Sequence, residues 1–141
     1  MKRIFVLSLG LMLALATLVL AGISSDQAAQ ILADALGKQG YKCDVEIGDV
    51  DKNGVSDVAI EYQGGNPDDT IMHLLAAITG GVGALDEEVD FKLDKAFVLI
   101  NDDLWYASVK GIGQCWDLIQ EDDSTDADVE DCLSEIWNKK E

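Results

Sequence analysis

Basic residues are scarce in this chain: 10 Lys and Arg stand against 27 Asp and Glu, for a formal net charge of −17. A surface of that sign repels nucleic-acid phosphates and anionic lipid headgroups, which excludes DNA or RNA as a partner and favours cations or basic proteins. Histidine is scarcer still. His73 is the only one, so a Cys–His or Ser–His catalytic pair would have to use it. No nucleophile motif surrounds it, and a surface histidine paired to the nearby Asp69 is the expected role. Gly80, Gly81 and Gly83 lack the lysine that a phosphate-binding loop requires. No internal repeat of solenoid or propeller period is present. Beyond the N-terminus no apolar run is long enough to span a bilayer.

The one long apolar run covers residues 4–20, preceded by Lys2 and Arg3 and followed by Ala21 and Gly22. Basic start, apolar middle and small residues at the junction are the three zones of a secretory signal. Cleavage is expected before Gly22, with Val19 and Ala21 at the positions where the peptidase needs small side chains. This makes 1–21 a signal peptide and 22–141 a single acidic domain, secreted, periplasmic or at the cell surface, with no membrane contact after cleavage. The competing reading keeps the segment as an uncleaved N-terminal membrane anchor. Cleavage removes two basic residues and no acidic one, taking the net charge from −17 to −19. The remaining 120 residues suffice for one buried core.

Periodicity predicts the elements. Ser24 and Gln27 have capping-box spacing, and Ala28, Ile31, Leu32, Ala35 and Leu36 follow on one helical face. The period then falls to two. Tyr41, Cys43, Val45 and Ile47 alternate with Lys42, Asp44 and Glu46, and a second alternating run follows at Val58, Ile60 and Tyr62. Asn53-Gly54 between them is a hairpin-turn signal, because both residues tolerate positive φ. Asn66-Pro67-Asp68-Asp69 opens another helix, whose stripe runs from Ile71 to Leu85 through glycines expected to kink or split it. A second hairpin spans about 89–109, turning at Asn101-Asp102-Asp103. Two helical stripes finish the chain, one through Ile112, Cys115, Trp116 and Ile119, the other through Val129, Cys132, Leu133, Ile136 and Trp137, capped by Ser124 or Thr125. The expected fold is α+β: a four-stranded, mostly antiparallel sheet of two hairpins packed with about four helices, in the order α-β-β-α-β-β-α-α.

The second hairpin is unusual because residues 96–100 are apolar on both faces, and Leu104 and Tyr106 oppose Trp105, Ala107 and Val109. Both sides therefore need cover, from the chain's own helices or from a protein partner docking around 96–107.

Residues 49–57 read Asp-Val-Asp-Lys-Asn-Gly-Val-Ser-Asp, with oxygen side chains at positions one, three, five and nine and glycine at six. Alternate oxygens around a tight glycine turn suit calcium. The run resembles the first half of an EF-hand loop, although Ile60 stands where the bidentate glutamate belongs. It is more similar to the Asp-x-Asp-x-Asn-Gly-x-x-Asp loops of integrin-type propeller repeats, which lie between strands. That resemblance implies Asp49, Asp51, Asn53 and Asp57 as side-chain ligands and Val55 as a backbone-carbonyl ligand. It covers nine residues and carries neither the propeller fold nor its functions.

Three cysteines in an exported chain allow at most one intramolecular bridge. Cys115 and Cys132 lie on the apolar stripes of the last two helices and are the expected pair, with pairing through Cys43 the alternative. The functional expectation is a non-enzymatic exported module, stabilised by calcium and presenting its second hairpin to a protein partner. The alternatives are a metal-independent interaction or inhibitor-like domain steered to basic targets, and a small hydrolase using carboxylates or His73.

Overall fold

The computed structural model describes residues 24–63, 71–121 and 123–140. The expected signal at 1–21 and the helix opening at 66–69 lie outside them.

Helix α1 spans Ser25–Lys38. The Ser24 hydroxyl accepts the Gln27 N–H at 3.2 Å, and the Gln27 side-chain oxygen accepts the Ser24 N–H at 2.9 Å. Two N–H groups otherwise left over at a helix start are thus satisfied reciprocally. Gly40, at φ 92°, takes the left-handed conformation that turns the chain out of the helix.

Strands β1 (Cys43–Ile47) and β2 (Val55–Tyr62) form an antiparallel hairpin. Helix α2 (Ile71–Glu88) then leads to β3 (Lys92–Ile100) and β4 (Asp103–Ser108), a second antiparallel hairpin. Helices α3 (Val109–Gln120) and α4 (Asp126–Ile136) follow, and β5 (Asn138–Lys139) ends the fold. One sheet takes the order β1-β2-β3-β4-β5. The α+β class and four helices among the described residues agree with the periodicity.

The sheet departs from expectation in two respects. It is mixed, because β2 and β3 lie side by side and run parallel. A parallel neighbour needs a crossover of a dozen or more residues, and the 18-residue α2 supplies it. It also has a fifth strand. Trp137 is buried as the chain leaves α4, which brings Asn138 and Lys139 beside Tyr106 and Trp105. The Lys140 N–H extends the contact, donating to the Leu104 carbonyl at 2.8 Å. Two polar residues offer no alternation to read, so only tertiary placement makes this a strand that covers part of the β4 edge.

The covered face of the sheet presents Ile47, Val58, Ile60, Ala96, Val98 and Ala107, all buried in one core with the helices. Helix α2 is buried almost all the way round from Leu74 to Leu85. Its glycines do not split it. A Cβ on Gly83 would stand 2.7 Å from Trp116 Cβ, so the missing side chain lets α2 and α3 approach closely. Cys115 and Cys132 are joined in a disulfide, their Cα atoms 5.8 Å apart, which pins α3 to α4. Thr125 caps α4, accepting the Asp128 N–H at 3.2 Å while the Asp128 carboxylate accepts the Thr125 N–H.

Candidate functional site

The described helices share one core with one face of the sheet, and the register determines what the other presents. Ala59 pairs with Phe97, Phe97 with Tyr106, and Tyr106 with Asn138. Glu46 pairs with Ala59, so one row across the sheet reads Glu46, Ala59, Phe97, Tyr106, Asn138. The next row reads Asp44, Glu61, Leu99, Leu104. A strand alternates its side chains, so these rows lie on the face opposite Val58, Val98 and Ala107. Within this face, Phe97, Leu99 and Leu104 are half-buried, and Tyr106 is 42% exposed. Val50, at 38%, is the only other large apolar side chain so exposed among the described residues.

The face is divided by chemistry. In these two rows its β3–β4 half is apolar, with Lys95 and Ser108 following in the row beyond Phe97, while its β1–β2 half carries Asp44, Glu46 and Glu61, all exposed. A groove of about 590 Å³ crosses the boundary, with Glu46, Glu61, Phe97, Leu99 and Leu104 along it and Ala29, Gln30 and Ala33 of α1 at its side. A second hollow of about 500 Å³ lies beyond Phe97, between Tyr106, Lys95, Lys110, Gln114 and Glu135. Phe97 borders both.

The 49–57 hairpin tip is closed by its own backbone. The Gly54 N–H donates to the Asp51 carbonyl at 2.9 Å, and the Asp51 N–H donates to the Val55 carbonyl at 2.9 Å. Gly54 takes φ 78°, whereas Asn53 stays at negative φ. This is the three-residue hairpin loop with a glycine bulge, not the two-residue turn expected from Asn-Gly. Asp51 Oδ1 accepts the N–H groups of Asn53 and Val55 at 2.8 and 3.0 Å, the local bonding for which aspartate is favoured in turns. Asp57 Oδ1 reaches out of the loop to accept the Lys95 N–H at 3.0 Å, where the β2–β3 register shifts between Ser56 and Val58.

Of the five residues expected around calcium, Asp51 and Val55 are thus tied together in the turn, and Asp57 is directed toward β3. Asp49, Asp51, Asn53 and Asp57 are all exposed. Among the described residues, no three His, Cys, Asp or Glu side chains form a metal-holding cluster. Any ion at this tip would use the oxygens that the turn leaves over, together with the Asn53 and backbone oxygens.

The other reactive groups lie off the two rows of this face, although Cys43 borders the first groove. His73 lies in the first turn of α2 and is half-buried. Cys115 and Cys132 are bonded to each other. Cys43 is buried on β1, and burial, with Asp44 beside it, pushes its thiol up to about 11. Burial also raises the Asp86 carboxyl above its ordinary range, against the lowering effects of the Leu93 N–H and Lys92. Glu87 is raised by burial and then by the charge of Asp117. None of the described helices is long and apolar enough to cross a membrane.

The two-sided apolarity of residues 96–107 located half of this face from the sequence. Its acidic half was missed. The alternation of Asp44 and Glu46 along β1 was visible, but only the parallel β2–β3 pairing sets Glu61 beside Leu99. The chain matches no protein-family model, no curated protein and no solved structure.

Proposed function

We propose that this chain is an exported, non-enzymatic binding module that docks a protein partner on the uncovered face of its sheet. One observation carries the reading: Phe97, Leu99, Leu104 and Tyr106 form a contiguous apolar patch that, among the described residues, stands apart from the core the helices build with the sheet. Solvating such a patch is costly, and burying it releases about 25 cal/mol for each Å² of apolar surface. The acidic residues beside it favour a basic partner and speed its approach. Export is supported by the order of charges and apolar residues in 1–21 and by the disulfide, which persists outside reducing compartments. The non-enzymatic reading is supported by the state of the cysteines, two bonded and one held as a neutral thiol.

The test is photocross-linking in the organism that makes the protein. A benzophenone side chain at Tyr106 is expected to trap one discrete basic protein, while the same group at Gln120, exposed on α3, traps none. Equal trapping at both positions, or none at Tyr106, would refute the reading.

Calcium at 49–57 is a separate proposal, which the docking reading does not require. It is supported by the spacing of Asp49, Asp51, Asn53 and Asp57 around one glycine turn and by the relief an ion gives to so acidic a surface. The turn is already hydrogen-bonded, so the ion would reinforce it. An affinity near about 0.1 mM at millimolar calcium adds about 1.4 kcal/mol. Calorimetry showing no uptake at millimolar calcium, with melting of Asp51→Ala insensitive to chelator, would remove it.

A further inference from the structure

We propose that the element recognised by this face is an amphipathic helix of the partner, laid along the strands with its apolar stripe on β3–β4 and a row of Lys or Arg over β1–β2. The inference rests on the docking reading and deepens it. The face has two parallel stripes of different chemistry: Phe97, Leu99, Leu104 and Tyr106 in one, Asp44, Glu46 and Glu61 in the other. Along a strand, same-face residues such as Phe97 and Leu99 are about 6.7 Å apart. Along a helix, residues four apart on one face are about 6 Å apart. A helix aligned with the strands therefore keeps step with both rows. Its width of about 10–12 Å covers two strand spacings of about 4.8 Å, which places its flank above Glu61 and Ala59. The small side chain of Ala59 leaves room at that boundary.

Hydrogen bonding decides between a helix and an extended segment. Within a sheet the backbone N–H and C=O groups point along the sheet toward neighbouring strands, not out of its face. An extended segment on this face would bury backbone groups with nothing to bond, whereas a helix satisfies its own. Charge decides between a partner and a second copy. Two copies meeting through this face would bring together surfaces that each carry Asp44, Glu46 and Glu61, in a chain of net charge −17.

The experiment titrates the full mature chain with a synthetic peptide of about 18 residues, long enough to form a helix, with Leu at helical spacing and Lys along one flank. A scrambled peptide of the same composition is the control. Amide shifts are expected to concentrate on β2, β3 and β4, with the scrambled peptide causing none there. Tyr106→Glu and the double variant Glu46→Lys, Glu61→Lys are each expected to weaken binding about tenfold, the scale of one interface anchor. These positions are exposed, so the variants keep the fold; unchanged amide spectra away from the face verify this. Equal binding of the scrambled peptide would overturn the inference, as would shifts spread over α4 and the 49–57 tip. Concentration-dependent shifts without peptide would also overturn it, in favour of a second copy. If photocross-linking at Tyr106 succeeds and the peptide fails, this inference falls alone. If both fail, the docking reading falls with it.

Discussion

The indole N–H of Trp137 donates to the hydroxyl of Thr79 at 2.9 Å, a buried hydrogen bond between residues 58 positions apart. Thr79 lies in the middle of α2 and is fully buried, and Trp137 is the last residue before β5. The bond therefore ties the end of the fold to its central helix. Thr79→Val keeps the shape and removes the acceptor, leaving a buried N–H without a partner. The expected loss is about 1–3 kcal/mol in urea unfolding, with β5 amides exchanging faster than those of β2. An unchanged midpoint would show that the bond contributes nothing net.

Two glycines should respond in opposite directions to the same substitution. Gly83→Ala gains about 1 kcal/mol of helix propensity, but its Cβ would stand 2.7 Å from Trp116 Cβ, which has no freedom to move aside. A net loss of about 1–2 kcal/mol is expected. Gly113, inside α3, has nothing within 4 Å of its would-be Cβ, so Gly113→Ala should stabilise by about 0.5–1 kcal/mol. Thermal unfolding of the two variants checks the contrast.

Much of this architecture was legible in the sequence, and its limits have identifiable causes. Helix α1 was readable because Ser24, Gln27 and the apolar stripe are all local signals. Both hairpins were readable from alternation. The parallel β2–β3 contact was not, since strand order depends on where α2 carries the chain. Strand β5 was illegible because Asn138 and Lys139 pair only through the docking of Trp137. The glycines of α2 suggested a break, since sequence alone does not show Trp116 packed against Gly83. At the hairpin tip, Asp51 and Gly54 satisfy the needs of a turn and also match a calcium loop, and the two patterns share the same residues.

The raised carboxyls on α2 give a signed pH dependence. Asp86 and Glu87 both hold their protons more tightly in the folded chain, chiefly through burial. Their contribution is therefore fully present below the ordinary carboxylate range and is lost as pH rises through their folded values. These two groups should make the chain more stable as pH falls from neutrality toward the ordinary carboxylate range, and Glu87→Gln should raise stability at neutral pH and flatten the profile. A midpoint that falls steadily on mild acidification would contradict this.

The cysteines make a further distinction. Reduction of the Cys115–Cys132 bond, which closes a 17-residue separation, should cost about 3 kcal/mol in the loop-entropy account. Cys43, with its thiol pushed up to about 11 from 9.0, should resist alkylation near neutral pH until the chain unfolds. Its contribution to stability is present below the unfolded value and lost as pH rises through the folded one. Rapid native-state alkylation at neutral pH would show that β1 opens locally.

The most direct test of the central claim is oxidative footprinting of the protein in its host and after purification. Two large apolar side chains serve as probe and control: Tyr106 on the uncovered face, 42% exposed, and Val50 at the hairpin tip, 38% exposed. A docked partner predicts that Tyr106, together with Phe97 and Leu104, is protected in the host and labelled once purified, while Val50 is labelled equally in both. Equal labelling of Tyr106 in the two states would contradict the account.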